Sequence, residues 1–137
     1  MRAVFADTGY WIALLNKQDD LHEKAKKLSK SIQPVHIVTS DMVLTEVLND
    51  FSSRGDRLRA SAIALAKDLQ QSPNATVIST TDELFEAGLK LYECRPDKNW
   101  SQTDCVSFII MKRKNISQAL AYDKHFIQAG FSALMQD

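Results

Sequence analysis

Apolar residues follow two rhythms along this chain. Short apolar or β-branched runs at residues 2–7, 35–39, 75–79, 118–122 and 131–135 read as strands. Between them, apolar positions return at helical spacing. Residues 9–16 (GYWIALLN) predict a short apolar helix. Residues 20–32 predict a second, with Asp19 or Asp20 as its cap and its lysines off the apolar face, closed by Pro34. Ser40 or Asp41 caps a helix to about 53, on which Val43, Leu44, Val47, Leu48 and Phe51 share one face. Asp56 opens another to about 71, whose alanine-rich face (Ala60, Ile63, Ala64, Ala66) suits close packing. Thr81 caps a helix to about 94, residues 95–100 form a loop, and helices are expected over 102–114 and 124–129.

Strands that alternate with helices imply a parallel sheet covered on both faces. The expected fold class is therefore α/β, a three-layer α/β/α sandwich with a mostly parallel central sheet and right-handed crossovers. The alternation leaves the strand order open. No internal repeat or linker interrupts the pattern, so residues 1–137 are expected to form a single domain.

Composition narrows the class. Hydrophobic residues make up 45% and charged residues 25%, as in an ordinary soluble protein. Seventeen basic residues balance 17 acidic ones, which argues against a broad basic nucleic-acid surface and leaves only local patches. Cys94 and Cys105 have no metal-type spacing and form no disulfide framework; both read as reduced core thiols. Met1-Arg2 leads directly into a strand without a signal peptide, and no apolar stretch approaches a membrane span. A cytoplasmic protein is expected.

Candidate chemistry lies with four acids. Asp7 and Asp123 each end an apolar strand and precede a helix, so in a parallel sheet both stand at the carboxyl edge, where open α/β sheets bind ligands. Each has a plain alternative as a helix cap. Asp104 fits a capping box with Ser101, but it opens a helix that is apolar nearly all round (Cys105, Val106, Phe108, Ile109, Ile110, Met111). A carboxylate entering such a core is costly unless paired or bound to metal. Glu46 lies off the apolar face of its helix and by pattern reads as a solvated glutamate. If the four converge, two or three carboxylates can hold Mg²⁺ or Mn²⁺ and another can orient or deprotonate water. Clustered acids repel, which raises their pKa values until a cation relieves them. His22, His36 and His125 lack ligand spacing. The first two read as outward-facing residues, and His125 adjoins Asp123 and could touch substrate.

The segments Val4-Phe5-Ala6-Asp7-Thr8-Gly9, Leu44-Thr45-Glu46-Val47-Leu48, Ser101-Gln102-Thr103-Asp104-Cys105 and Leu120-Ala121-Tyr122-Asp123-Lys124-His125-Phe126 carry a resemblance. Together they resemble the PIN-domain nucleases, most closely the VapC-like branch that serves as toxins in bacterial toxin–antitoxin pairs. The resemblance covers almost the whole chain. It implies a PIN-like sandwich and a metal-dependent endoribonuclease that uses Mg²⁺ or Mn²⁺ to hydrolyse RNA phosphodiesters. Asp7, Glu46, Asp104 and Asp123 would form the acidic site, with Asp7, Asp104 and Asp123 on the metal. Thr8, Ser101 and Thr103 would support them. It also implies RNA as substrate, a cognate antitoxin as partner and a homodimer. The chain departs from the pattern at Ala121, where many relatives carry Thr or Ser, and at the bulky Phe108, Ile109 and Ile110.

Two phosphate-handling alternatives lose ground on spacing. A haloacid-dehalogenase-like phosphatase needs a second Asp two residues after the first, where this chain has Gly9, and a receiver domain needs an acidic pair after its first strand. A non-catalytic α/β module that binds protein or nucleic acid is the remaining alternative. For substrate contact, Arg54 and Lys124 are the phosphate candidates, and Trp100 could stack on a base or anchor its own loop. Lys112-Arg113-Lys114 better suits the dipole at its helix C-terminus. Trp11 reads as core or dimer interface.

Overall fold

The computed structural model describes residues 1–136. Among them, strands β1 (Ala3–Ala6), β2 (His36–Ser40), β3 (Ala75–Ile78), β4 (Gln118–Leu120) and β5 (Ser132–Ala133) form one sheet in the order β3-β2-β1-β4-β5. Every pairing is parallel. Helices α1 (Thr8–Leu15) and α2 (His22–Ser31) link β1 to β2, and α3 (Asp41–Phe51) and α4 (Asp56–Gln71) link β2 to β3. Helices α5 (Asp82–Cys94) and α6 (Gln102–Arg113) cross back from β3 to β4, and α7 (Lys124–Gln128) leads into β5.

The handedness of these crossovers sorts the layers. The first two walk outward from β1 to β3 and put α1 to α4 on one face. The third runs the other way across the sheet, so a right-handed connection lays α5 and α6 on the opposite face. The packing agrees: α1 touches α2, α3 and α4, while α5 packs on α6. Between the layers Val4, Phe5 and Ala6 are fully buried, as expected of a strand covered on both sides. The expected α/β/α sandwich is the observed one, with a sheet that is wholly parallel.

Local chemistry fixes the helix starts. Ser40 Oγ accepts from Val43 N at 3.2 Å and Thr81 Oγ1 from Leu84 N at 3.1 Å, as caps do. Asp41 is thereby released from capping and accepts instead from the Thr80 hydroxyl (2.6 Å) and amide, which ties the ends of β2 and β3 together. Neither Asp19 nor Asp20 caps α2. Asp19 Oδ1 accepts from Leu21 N at 2.9 Å, a turn completed before the helix begins.

Three expectations change. The buried stripe of α4 is Leu58, Ala62, Leu65 and Leu69, not the alanine-rich face; Ala60 and Ala64 are exposed and Ile63 is 44% exposed. The leucine stripe offers more apolar area and so takes the core side. Cys105 is buried but Cys94, in the last turn of α5, is exposed. The strand expected over 131–135 shortens to Ser132–Ala133. No helix among the described residues is long and apolar enough to cross a membrane.

Phe108 on α6 is an aromatic hub. Its ring meets Trp100 at 5.1 Å, Phe126 at 5.0 Å and Phe131 at 5.8 Å between centroids. The bulk at this position thus clamps the loop before α6 and the α7 region onto one helix. Gly88 on α5 faces α6 so closely that a Cβ there would stand 2.5 Å from Val106 Cγ2. Gly88→Ala is therefore expected to cost about 1–3 kcal/mol in urea unfolding despite alanine's better helix propensity. Adding Val106→Ala should recover part of that loss beyond additivity, and strictly additive effects would contradict the close approach.

Candidate active site

The site is assembled by two neighbouring strands and one helix from each face. β1 and β4 pair with Ala6 opposite Leu120, and Asp7 N donates to Leu120 O at 3.1 Å. Asp7 and Asp123 therefore leave adjacent strands at one edge. Here the chain also reverses its direction of travel across the sheet, and such a switch point opens a crevice beyond the strand ends. Glu46 on α3 reaches that crevice from one face and Asp104 on α6 from the other. All four acids line a single pocket of about 740 Å³.

The carboxylates are held in different ways. Asp104 and Ser101 complete the capping box: Ser101 Oγ accepts from Asp104 N and Asp104 Oδ2 accepts from Ser101 N, each at 3.0 Å. Asp123 caps α7 by accepting from His125 N at 3.0 Å. Asp7 sits at the N-cap of α1 yet makes no side-chain cap bond. The capping alternative thus describes part of what Asp104 and Asp123 do and fails for Asp7. Glu46 is not a solvated glutamate. It is half-buried, and the Thr8 hydroxyl donates to its Oε1 at 2.6 Å across the α1–α3 contact.

Electrostatics follow from this crowding. Burial pushes the Asp7 carboxyl up to about 7, with repulsion from Asp104, Glu46 and Asp123 adding to it and a backbone hydrogen bond from Thr8 opposing it. Burial also raises Asp104, against the lowering effect of its Ser101 and His125 hydrogen bonds. His125 bridges the pair: Nδ1 lies 3.0 Å from Asp104 Oδ2 and 3.2 Å from Asp123 Oδ2. A proton on Nδ1 serves these carboxylates, which leaves Nε2 as an acceptor when the ring is neutral.

Other expected site residues divide. Lys124 is exposed and is the only lysine or arginine lining the pocket among the described residues. Ser101 supports Asp104 directly, as above. Thr103 is buried and lines a neighbouring cleft that Glu46 also borders. Arg54 lies outside the pocket lining. It pairs with Asp50 at 3.2 Å over the Phe51 ring, because the end of α3 carries it away from Glu46. Trp100 is only 6% exposed, donates Nε1 to Gln128 Oε1 at 3.1 Å and packs on Phe108, so it anchors its loop and presents no face to a base. Arg113 grips Glu83 and stays clear of the pocket.

Among the histidines, His22 tucks Nδ1 against Ala13 O at 2.8 Å and His36 meets Thr76 Oγ1 at 2.7 Å, so both are structural. Sequence reasoning underweighted His125, whose signal was its place two residues after Asp123. It gave no site role to Ile12, Asp19, Leu21 or Tyr122, which also line the pocket; of these only Tyr122 falls in a segment that carried the family resemblance.

The chain matches the PIN domain over residues 4–132. It is 34% identical over 129 residues to the 23S rRNA-specific endonuclease VapC20 of Mycobacterium tuberculosis, in strains CDC 1551 / Oshkosh and ATCC 25618 / H37Rv, spanning 93% of this chain and 95% of that protein. The crystal structure of Mycobacterium tuberculosis VapC20, a sarcin–ricin loop cleaving toxin, superposes with a TM-score of 0.84 at 32% identity, again over 93% of this chain and 95% of the other. With the sandwich, the switch-point pocket and the match along nearly its whole length, this chain belongs to the PIN-domain family.

Proposed function

We propose that this protein is a divalent-metal-dependent endoribonuclease of the toxin type, acting on a structured RNA. One observation carries the reading: four carboxylates from four separate segments meet at a switch-point pocket, in a chain 34% identical to a 23S rRNA-specific endonuclease. Acids gathered at such a cost call for a cation, and their all-oxygen donor set suits Mg²⁺ or Mn²⁺. Asp7 fits best as a ligand, since its side chain makes no cap bond and burial, with repulsion from the neighbouring acids added, raises its carboxyl to about 7. Asp104 and Asp123 turn toward His125, and among the described residues no three side chains form a ready-made cage. That suits magnesium, which keeps several waters and takes few direct carboxylates.

When bound, a divalent cation would polarise the scissile phosphodiester and stabilise its developing charge. The chain's own residues do the rest. Thr8 fixes one oxygen of Glu46, which leaves the other to orient the attacking water and accept its proton. Lys124 offers a positive contact to a phosphate beside the cleaved bond. His125 holds Asp104 and Asp123 in register. Attack of water breaks one P–O bond and leaves a phosphomonoester and a free hydroxyl.

The toxin reading brings a cognate antitoxin and a cytoplasmic site of action. A homodimer is also proposed, supported by the apolar stripe of Phe85, Leu89 and Tyr92, exposed at helical spacing along α5.

Purified protein incubated with ribosomal RNA and Mg²⁺ is expected to cleave at few positions. EDTA should abolish cleavage, and Asp7→Asn should reduce it at least about 100-fold. Cleavage that persists in EDTA or in the variant would refute the metal mechanism, and no cleavage of any RNA would leave the non-catalytic module as the better account. Light scattering should give a dimer for the wild type and a monomer for Leu89→Glu; a monomeric wild type would remove the dimer.

A further inference from the structure

We propose that the catalytic pocket contains a nucleobase subsite beside the acids, with Tyr122 as its stacking platform and Asp19 as its hydrogen-bond acceptor, selective for bases that carry an amino group. This deepens the endoribonuclease reading and rests on it.

The pocket has two chemically distinct walls. Asp7, Glu46, Asp104 and Asp123 form the acidic one. Ile12 of α1, Leu21 and Tyr122 form an apolar one, which phosphate and metal chemistry do not require. Gly9 also lines the pocket, where an added Cβ would meet nothing within 4 Å, so this position leaves open space. An apolar wall open to a charged cleft suits the flat, poorly hydrated face of a base whose phosphate lies among the acids.

Tyr122 is built to serve that face. It is 49% exposed, unlike Trp100, although it directly follows three buried residues of and beyond β4. Its backbone is fixed from the C-terminal side: Met135 N donates to Ala121 O at 3.0 Å, and Gln136 Nε2 donates to Tyr122 O. The ring is thus presented at the pocket on a rigid segment, so little order remains to be imposed on binding. Asp19 supplies direction. Its Oδ1 is committed to Leu21 N at 2.9 Å, which fixes the carboxylate and leaves Oδ2 to accept. A carboxylate only accepts, and an exocyclic amino group of adenine, cytosine or guanine projects its N–H beyond the ring to meet it, whereas uracil's one ring donor, N3–H, is flanked by the O2 and O4 carbonyls, which repel a carboxylate.

The test is fluorescence anisotropy of short single-stranded oligo(A), oligo(C) and oligo(U) against the full chain in EDTA, with Mn²⁺ affinity measured alongside. Wild type should prefer oligo(A) and oligo(C) to oligo(U). Tyr122→Ala should weaken oligo(A) about tenfold while Tyr122→Phe keeps it, and Mn²⁺ affinity should be unchanged in both. Asp19→Asn, which retains the acceptor for Leu21 N, should erase the preference against oligo(U). Equal binding by Tyr122→Ala, or equal loss in Tyr122→Phe, would overturn the subsite even if the wild type cleaves RNA in Mg²⁺. Stacking that survives in a protein unable to cleave would overturn the nuclease reading alone. Failure of the wild type to bind any of the three would overturn the subsite alone, because the nuclease reading requires the cation that EDTA removes.

Discussion

The pairing of β1 with β4 is the constraint from which the site follows. These strands are separated by more than a hundred residues of sequence, yet they lie in register with Ala6 opposite Leu120. Because β2 and β3 lie on one side of β1 and β4 and β5 on the other, the helices that follow β1 and precede β4 are sent to opposite faces of the sheet. Nothing then fills the space beyond the two central strand ends. Asp7 and Asp123 border that space, and α3 and α6 each deliver one further acid to it from its own side. A one-residue slip of β4 would exchange the residues it presents to the two helical layers and carry Asp123 away from Asp7.

The electrostatic character of the pocket is a consequence of that geometry. Four carboxylates in one partly enclosed volume cannot all ionise freely, and the cost falls hardest on Asp7, whose carboxyl is raised first by burial and further by repulsion from the other three. His125 spans Asp104 and Asp123. The surrounding structure must hold this arrangement rigidly. The Phe108 cluster does so for the α6 and α7 side, the Thr8–Glu46 bond for the α1 and α3 side, and the close α5–α6 approach at Gly88 sets the helix that carries Asp104. Residues remote from the pocket thereby set the positions of its acids.

The sequence made the sheet and the four acids legible because both write themselves locally. Buried strands are apolar runs, and strand-end acids stand where such runs stop. The capping signals of Ser40, Thr81 and Ser101 were also visible as local patterns. Less legible was whatever depends on which face an element turns inward. The α4 helix offered two apolar faces, and only packing selected the leucine stripe. Trp100 and Tyr122 are both aromatic residues near an acid, yet the first is sealed under Phe108 and the second stands open. That difference is decided by tertiary packing, which seals Trp100 against Phe108 and leaves Tyr122 half-exposed. Arg54 was a phosphate candidate by sequence, but it lies in the turn beyond α3, paired with Asp50 and outside the pocket lining.

The central claim is that these acids exist to hold a divalent cation, with Asp7 as the key ligand. Calorimetric titration of Mn²⁺ into the metal-free protein tests it most directly, run at pH 6 and pH 8 in buffers of differing ionisation heat. Because Asp7 is held neutral up to about 7, binding at pH 6 must first remove its proton. The account predicts release of about one proton per ion at pH 6, little at pH 8, and tighter binding at the higher pH. It also predicts that Asp7→Asn abolishes both the binding and the proton release. Absence of Mn²⁺ binding by the wild type, or equal binding by Asp7→Asn, would contradict it.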